Sequence, residues 1–471
     1  MKSFLKIVCC LFWPALLLQA QPYLGADLSY VNEMEDCGVV YREDGTPKDP
    51  YQIFADAGAN LVRLRLWHTP SWYDSLNSGE RYSDLADVKR SIARAKEAGM
   101  QVLLDFHLSD NWADPSKQII PAAWLAVADN LPVLQDSLEH YLYNTLTELA
   151  QDDLWPDLIQ LGNETNRGIL LTPEQNESGW VLDWERNAAL FNRGLAAIRS
   201  ASADAEQSVK VGLHLAGPAN VEWFLEQFVE HEVTDFDFIG ISYYWAWHQP
   251  TSITDAGQVV NRLRQAYPEK EIIILETGYI WTTEWNDQAS NIINDLHPDY
   301  EPASPSAQLN WLVDLTETVL QNGGDGVLYW EPAWVSSGCF TQWGQGSHQE
   351  HATFFDFSSN LIPEGGIAWL GRDYTTNTFS PLISPMPLHL KAVLGADGRT
   401  LRVSFPGAGS VKGCQASLID IDGKIIQSWI DVIVSANQME LYLPELPNGI
   451  YFFVVRDDLG RMGKEAVVIQ R

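Results

Sequence analysis

From residue 23 to about residue 330 the chain alternates short apolar segments with amphipathic ones. Within Asp84–Ala98, for example, apolar side chains recur at helical spacing and Gly99 follows as a terminator. Eight apolar segments predict strands: Tyr23–Asp27, Asn60–Leu66, Gln101–His107, Leu158–Gly162, Lys210–His214, Phe238–Ser242, Ile272–Glu276 and Gly326–Trp330. The alternation predicts parallel strands joined by helical crossovers.

Eight strand–helix units match an α/β fold of the (β/α)8 TIM-barrel type, which we place at residues 21–373. A doubly wound open sheet is the competing fold, but no glycine-rich phosphate loop follows the first strand. The barrel prediction has a geometric consequence, because reactive groups of such barrels stand at the C-terminal ends of the strands.

The pattern changes after residue 373. A connector rich in Thr, Asn, Ser and Pro spans residues 374–387. Residues 388–471 then show short alternating segments and two turn signals, which predict a small C-terminal β-sandwich. The segments are Leu401–Phe405, Ala416–Ile421, Met439–Leu443 and Ile450–Val455, and the turn signals are Asp397-Gly398 and Asp422-Gly423.

The N-terminus has the pattern of an export signal over residues 1–20. Lys2 and Lys6 precede a short apolar run that closes at Ala20, whereas an uncleaved membrane helix would usually be longer. Removal of the signal leaves Cys37, Cys339 and Cys414, without Cys-x-x-Cys spacing. A Cys37–Cys339 disulfide suits an exported protein, but the spacing does not establish it.

Composition narrows the classes of partner. The 471 residues are 46% hydrophobic and 20% charged, as in ordinary globular proteins. With 30 Lys and Arg against 62 Asp and Glu, the net charge of −32 disfavours nucleic acid and anionic membranes as partners. Nineteen Trp are more than a core of this size needs, so we expect a stacking surface.

Two glutamates follow predicted strands. Glu164 lies after the fourth strand and Glu276 ends the seventh, so both are expected at the mouth of the barrel. Two carboxyl groups facing one cleft are what glycoside hydrolysis requires, one as acid and the other as nucleophile or base. A solvated loop acid is the alternative for either residue alone.

Other strand ends carry polar residues that a packed core does not favour. Alternation places Arg63 and Arg65 on one face of the second strand, and Asp105 and His107 on one face of the third. Each is compatible with a structural ion pair. Together they predict a shell around the acids, in which Arg65 keeps one carboxylate ionised while burial raises the pKa of the other.

Aromatic residues crowd the same strand ends, where a row of indoles could stack on the apolar faces of sugar rings. These aromatic residues are Trp67, Trp112, Tyr243, Tyr244, Trp245, Trp247, Trp281, Trp330 and Trp334. Core packing is the alternative for any one of them, and position at the mouth favours stacking for Trp112 and Trp330. Histidine spacings typical of metal sites are absent from the sequence, so we expect a metal-free pair of acids and no cofactor requirement.

A longer series of segments resembles glycoside hydrolase family 53, the arabinogalactan endo-β-1,4-galactanases, within the larger clan of retaining (β/α)8 glycosidases. The matching segments span the barrel in order: Gly25–Ser29, Val62–Trp67, Leu103–Pro115, Gly162–Asn166, Ile241–Tyr244 and Tyr329–Trp334. The resemblance implies endo-acting hydrolysis of β-1,4-galactan with retention of configuration. A mannanase, a xylanase or a non-catalytic glycan-binding surface protein remain as alternatives.

The resemblance also implies roles for individual residues. Glu164 is expected to be the acid/base and Glu276 the nucleophile. Asn163 is expected to bind the sugar 2-hydroxyl, Trp112 and Trp330 to stack on galactose, and other residues to orient the acids. The full expected substrate-binding set is Arg65, Asp105, His107, Trp112, Asn163, Tyr243 and Trp330.

Two further expectations concern calcium and export. Some bacterial relatives hold calcium in the loop after the nucleophile strand, but Trp285–Asn291 does not clearly reproduce that spacing, which leaves calcium open. The segments Pro447–Val455 and Lys464–Ile469 resemble C-terminal sorting domains of gliding-type Gram-negative bacteria, with a plain accessory domain as the alternative. We therefore expect a secreted protein that uses outer-membrane secretion machinery or attaches to the cell surface.

Overall fold

The computed structural model describes residues 21–177 and 182–374 continuously, and residues 388–469 with short breaks. The expected signal peptide, most of the connector and the Asp422-Gly423 turn lie outside the described residues. In the first region the strands are β1 (Tyr23–Asp27), β2 (Arg42–Glu43), β3 (Thr46–Pro47), β4 (Leu61–Leu66), β5 (Gln101–Phe106), β6 (Leu158–Leu161), β7 (Lys210–Ala216), β8 (Phe238–Ser242), β9 (Glu271–Glu276), β10 (Gly326–Tyr329), β11 (Phe340–Thr341) and β12 (Gly344–Gln345).

The helices of this region surround the strands. They are α1 (Val31–Asp36), α2 (Pro50–Ala57), α3 (Leu85–Glu97), α4 (Leu131–Gln151), α5 (Pro173–Glu177), α6 (Trp184–Ala205), α7 (Pro218–Glu230), α8 (Trp245–His248), α9 (Ile253–Ala266) and α10 (Pro305–Gln321). In α3 the apolar positions Val88, Ile92 and Ala95 are buried, and the side chain of Asp84 caps the first turn by accepting from the amide of Asp87 at 3.0 Å. None of the helices in the described part of the chain has the length and apolarity needed to cross a bilayer.

Eight parallel strands close into a barrel in the order β1-β10-β9-β8-β7-β6-β5-β4, which confirms the predicted fold. The observed strand ends differ from the predicted ends by no more than two residues. The two-residue pairs β2–β3 and β11–β12 were not predicted, because such short segments show no periodicity.

The barrel interior has an apolar lower layer and a polar upper layer. The apolar layer contains Leu61, Leu103, Leu158, Phe238, Ile273, Leu275 and Leu328. Glycines make room for this layer, since a Cβ on Gly212 would lie 2.1 Å from the Phe238 ring and one on Gly240 would lie 2.2 Å from Leu275. Two residues further along β4 and β5, the same face carries Arg63 and Asp105.

A β-bulge directs Glu276 toward the interior. Strand alternation alone would place Glu276 on the outward face with Ile272 and Ile274. The pairing of β8 with β9 instead skips Leu275, because Ile241 pairs with Ile274 and Ser242 with Glu276. The interior side chain of Leu275 is therefore followed directly by a second interior side chain, that of Glu276.

The C-terminal region forms two antiparallel sheets. Its strands are β13 (Lys391–Leu394), β14 (Thr400–Ser404), β15 (Cys414–Ile419), β16 (Ile425–Val432), β17 (Gln438–Tyr442), β18 (Gly449–Asp457) and β19 (Met462–Ile469). The sheets have the orders β13-β14-β17 and β16-β15-β18-β19, and side chains such as Val403 and Phe453 share one buried cluster between them. The predicted sandwich is thus observed, although the segments of β13, β16 and β19 were not predicted as strands.

A disulfide joins Cys37, at the end of α1, to Cys339, in the loop after β10, with a Cα–Cα distance of 5.6 Å. The bond closes a loop with a sequence separation of 302 residues. Cys339 directly precedes β11 and the exposed side chain of Phe340. The crosslink therefore ties one edge of the barrel mouth to the first helix.

Reduction of this disulfide is expected to lower the free energy of unfolding by about 2–5 kcal/mol, because the open chain gains conformational entropy when unfolded. Thermal unfolding with and without dithiothreitol measures the effect. A control variant that combines Cys37→Ser with Cys339→Ser should unfold at the same temperature in both conditions. An unchanged melting temperature for protein shown by thiol titration to be reduced would contradict this expectation.

Candidate active site

The C-terminal ends of the barrel strands open into a cleft of about 930 Å³. Glu164, three residues after β6, and Glu276, the last residue of β9, both line this cleft. Aromatic side chains supply much of the remaining wall. The cleft thus brings together the two acids that the sequence placed at strand ends.

Arg63 is the centre of the polar layer beneath the cleft. Its guanidinium contacts Asp27 at 2.8 Å, Asp105 at 2.9 Å and Glu276 at 2.9 Å. The same group donates to the side-chain oxygens of Asn163 at 2.7 Å and Gln160 at 2.9 Å. Because Arg63 is almost fully buried, these contacts concentrate its positive charge on the carboxylates around it.

The two glutamates differ in their electrostatic surroundings. Burial raises the pKa of Glu276, but the adjacent Arg63 charge and a hydrogen bond from Tyr244 (3.2 Å) oppose that increase. Burial raises the pKa of Glu164 well above its ordinary value, and the charge of Glu276 adds to the increase. A single proton shared by the pair therefore resides on Glu164 and leaves Glu276 ionised.

The backbone at Glu164 has an unusual conformation. Its φ of +45° lies in the left-handed region, which a residue with a side chain occupies at a cost of about 1 kcal/mol or more. The side chain of Gln118 holds this turn by donating to the carbonyl oxygens of Asn163 at 2.7 Å and of Glu164 at 3.1 Å. The neighbouring loop therefore holds the position of the acid.

A hydrogen-bonded network fixes Asn163 beside Glu164. The Asn163 amide nitrogen donates to the carbonyl of Ala113 at 2.8 Å, and its oxygen lies 2.8 Å from Nδ1 of His214. Nε2 of His214 lies 2.9 Å from the Ser242 hydroxyl, and hydrogen bonding from Ser242 opposes the increase in the pKa of Glu164. Burial lowers the pKa of His214 well below its ordinary value, so the ring is neutral.

Three residues of this network were not predicted from the sequence: Gln160, His214 and Ser242. Each lies within or at the end of a correctly predicted strand, on the same interior face as the residues that were selected. The available signal was a polar residue on the inward face of each of three successive barrel strands, which could have indicated these three members of the network.

The sequence predicts that Arg65 keeps one of the two acids ionised, but the structure pairs Arg65 with Glu331 at 2.9 Å. Among the residues that the structure describes, Arg65 forms no ion pair with Glu164 or Glu276. Its guanidinium carbon lies 4.1 Å from the ring centre of Trp112 and 4.3 Å from that of Trp67. Arg65 therefore supports an aromatic side chain of the cleft, while Arg63 contacts the nucleophile candidate.

The resemblance implies that Tyr243 orients the acids, but the structure places its neighbour Tyr244 against Glu276. The Tyr243 hydroxyl donates to the carbonyl of Thr251 at 2.7 Å, and its ring stacks on Trp311 with centroids 5.7 Å apart. Tyr244 instead lines the cleft and donates to Glu276. The direction of the chain after β8 decides which of the two tyrosines faces the site.

Asp105 and His107 lie one step behind the acids. Nδ1 of His107 is 2.7 Å from Asp105, which itself contacts Arg63. Burial lowers the pKa of His107 despite this carboxylate neighbour, so His107 adds no positive charge to the shell. Asp105 acts on the site through its ion pair with Arg63, and His107 packs against Trp112 with ring centres 5.7 Å apart.

The predicted aromatic surface is present in part. Trp112, Tyr244, Trp247, Trp330 and Trp334 line the cleft, whereas Trp67 and Tyr243 are buried and the cleft lining does not include Trp245 or Trp281. Trp112 and Trp330 both line it, with ring centroids 5.7 Å apart and planes inclined at 64°. Trp334 follows at 6.2 Å from Trp330. Trp247 and Trp343 also line the cleft and leave more than a third of their surface exposed. Exposed indole faces beside two acids are suited to binding a carbohydrate polymer.

The loop after β9 is the place at which the sequence leaves a calcium site open. The carboxylate of Asp287 accepts hydrogen bonds from the amides of Ala289 at 2.9 Å and Ser347 at 2.6 Å. In the part of the chain that the structure describes, no group of three or more His, Cys, Asp or Glu side chains is placed to hold a metal ion. These residues do not fit a carboxylate-rich calcium site.

Comparisons of the sequence with protein families and with known proteins agree with each other. The model of glycosyl hydrolase family 53 matches residues 23–364. An arabinogalactan endo-β-1,4-galactanase of Cellvibrio japonicus is 46% identical over 345 residues, covering 72% of this chain and 89% of the relative. An endo-β-1,4-galactanase of Bacillus subtilis is 31% identical, covering 75% and 80%.

Solved structures give the same result. A family 53 catalytic domain from Ignisphaera aggregans aligns with a TM-score of 0.66 and 29% identity, covering 76% of this chain and 99% of that domain. A structure from a study of two fungal β-1,4-galactanases aligns with a TM-score of 0.62 and 25% identity, covering 75% of this chain and all of that one. The shared region is the barrel with its cleft.

Replacement of Tyr244 by Phe is expected to raise the pKa of Glu276 by about one unit, because the hydrogen bond that favours the carboxylate is lost. Carboxyl-carbon NMR titration of the labelled glutamates measures the change. Tyr243→Phe is the matched control, since Tyr243 donates to Thr251 instead, and it should leave the pKa of Glu276 unchanged. Equal effects of the two substitutions would contradict the assignment of Tyr244.

Proposed function

The chain belongs to glycosyl hydrolase family 53, and we propose that it is an endo-β-1,4-galactanase that cleaves the galactan chains of pectin with retention of anomeric configuration. The observation that carries this proposal is the pair of glutamates in one aromatic cleft, of which only Glu276 forms an ion pair with Arg63. This asymmetry divides two chemically identical groups into an acid and a nucleophile.

In the first step, Glu164 gives its proton to the oxygen of the scissile glycosidic bond. The ionised carboxylate of Glu276 attacks the anomeric carbon, the bond to the leaving sugar breaks, and a galactosyl ester of Glu276 forms. Arg63 stabilises Glu276 as a carboxylate before the attack. The leaving chain departs with the proton, so charge and atoms balance.

In the second step, water replaces the departed chain. Glu164, now ionised, takes a proton from the water molecule. The oxygen of that water attacks the anomeric carbon, and the ester bond to Glu276 breaks. Two inversions give net retention. The enzyme returns to its starting state, with the proton on Glu164 and the negative charge on Glu276.

The substrate assignment rests on the relatives and on the cleft. The Cellvibrio japonicus and Bacillus subtilis relatives are endo-β-1,4-galactanases by name. Trp112 and Trp330 offer stacking surfaces for sugar rings, and the fixed amide of Asn163 is available to a sugar hydroxyl beside Glu164. We propose that these three residues hold the sugar at the cleavage point.

Incubation with unbranched β-1,4-galactan, β-mannan and xylan tests this assignment. We expect mixed short oligomers to appear early from galactan, and little product from the other two polymers. Early release of a single small product would contradict endo action, and preferential cleavage of mannan or xylan would contradict the substrate. Retained binding of galactan without cleavage would favour a glycan-binding protein.

We propose further that catalysis needs neither a metal nor another cofactor. Supporting this, the steps above use only the two glutamates and water, and the oxygens of Asp287 already accept backbone hydrogen bonds. The same galactan assay after dialysis against EDTA is expected to give an unchanged initial rate. A loss of activity that calcium restores would contradict the proposal.

Substitution of the two glutamates should have different consequences for different leaving groups. Glu276→Ala is expected to lower kcat on the order of 10³-fold or more with any substrate, because the ester cannot form. Glu164→Ala should cost about 10²–10⁴-fold on galactan, but far less on an aryl galactoside whose leaving group needs no proton. Initial rates on both substrates measure the difference. The opposite pattern would reverse the two roles.

The pH profile of kcat/KM should be bell-shaped. Activity falls as pH decreases through the pKa of Glu276, because the nucleophile becomes protonated, and falls as pH increases through the pKa of Glu164, because the acid is lost. Burial places the acidic limb above the ~4.3 of a free glutamate side chain. Tyr244→Phe should move only the acidic limb, toward higher pH. Movement of only the alkaline limb would contradict this assignment.

We also propose that the protein is secreted, with residues 1–20 as a cleaved signal and the C-terminal domain as a sorting signal. The apolar run after Lys2 and Lys6 and the disulfide between Cys37 and Cys339 support export to an oxidising compartment. N-terminal sequencing of protein recovered outside the cell should begin near Gln21. A fusion of residues 388–471 to a periplasmic reporter should reach the cell surface or the medium if the sorting role is correct.

A further inference from the structure

The C-terminal domain packs tightly on the barrel. Ile450 and Phe452 of β18 belong to the same buried apolar cluster as the barrel helices. The Phe452 ring lies 5.6 Å from that of Trp223 and 6.0 Å from that of Phe224, both on α7. The four-stranded sheet is therefore seated on α7 through buried apolar contacts.

Polar contacts fix the orientation of the domain. Arg456 of β18 forms an ion pair with Asp255 at 2.7 Å, and the Asp255 side chain is only 10% exposed. Asp255 also belongs to the capping box of α9, which holds its carboxylate in place. The amide nitrogen of Asn220 on α7 donates to the carbonyl of Ile421 at 3.5 Å. Such directional contacts select one docking geometry.

One edge of the domain reaches the mouth of the barrel. Asp420 and Ile421, after β15, line a small cavity with Arg167, which lies three residues after Glu164. Ile425, the first residue of β16, lines the catalytic cleft together with Trp247 and Gln249. Its backbone is held in the sheet by pairing with Ile419. The cleft is thus bounded on one side by a residue from outside the barrel.

We propose that Ile425 is a substrate-positioning residue that forms a wall of the galactan-binding cleft and strengthens the binding of longer chains. This inference rests on the proposed function. Ile425 is half-buried, and its branched alkyl group offers an apolar contact for the C–H face of a sugar ring. It also lies beyond residues 23–364, which the family model matches, so the C-terminal domain adds this contact to the barrel's own cleft.

Single substitutions in the full chain test the proposal, because removal of the domain would expose the apolar surface of α7. Ile425→Ala is compared with Ile430→Ala, a matched change on the same strand at a side chain that is 73% exposed. Melting temperatures of both variants monitor folding. The readouts are KM and kcat on galactan and on β-1,4-galacto-oligosaccharides of increasing length.

Ile425→Ala is expected to raise KM for galactan about fivefold, as the loss of one apolar contact predicts. This increase in KM should become smaller for oligosaccharides that are too short to reach Ile425. Ile430→Ala should have the same KM as the unmodified protein. Ile425→Trp adds surface at the same place, so a changed KM or product-length distribution in that variant supports the wall even if Ile425→Ala folds poorly.

Equal KM values for Ile425→Ala, Ile425→Trp and Ile430→Ala at every chain length would overturn the proposal. Failure of the proposed function is separate, since it would appear as absence of galactan cleavage by the unmodified protein. Calorimetric binding of the same oligosaccharides in a Glu276→Gln background does not depend on cleavage. In that background, weaker binding after the further change Ile425→Ala would support the proposed contact of Ile425 with the chain. Unchanged binding would overturn it.

Discussion

The buried guanidinium of Arg63 is the interaction on which the rest of the site depends. It contacts three carboxylates, those of Asp27, Asp105 and Glu276, together with the side-chain oxygens of Gln160 and Asn163. A charge so deeply buried is costly unless it is paired and fully hydrogen-bonded, and here each of those partners lies within two residues of the C-terminal end of a barrel strand. Closing the barrel therefore assembles the active site, and the charge of Arg63 distinguishes Glu276 from Glu164.

A second buried arginine, Arg65, supports the aromatic side of the cleft. Arg65 lies against Trp112 and pairs with Glu331, the residue that follows Trp330. Two arginines on one face of β4 thus serve different purposes, because Arg63 holds the acids and Arg65 holds the stacking surface. The disulfide at Cys339 anchors the chain between Trp334 and Trp343, both of which line the cleft, and Ile425 of the C-terminal domain lines the same cleft.

Sequence patterns predicted the barrel, the sandwich and both glutamates, because strand periodicity places strand ends at one mouth whatever the details of packing. Sequence patterns did not show whether Arg63 or Arg65 contacts Glu276, because alternation gives the face of a strand on which a side chain lies but not its depth in the barrel. The resemblance implied Tyr243, whereas Tyr244 contacts Glu276, and no sequence pattern separates the two because the turn after β8 is not periodic. The bulge at Leu275 and the docking of Ile425 depend on contacts between distant segments, which one sequence does not display.

The most direct test of the division between the two acids is to trap the covalent intermediate. A 2-deoxy-2-fluoro galactoside with a good leaving group slows breakdown of the ester, and mass spectrometry of a peptic digest then locates the label. The account predicts one added sugar per chain, on the peptide that contains Glu276. A label on the Glu164 peptide, or cleavage that inverts the anomeric centre without any label, would contradict it.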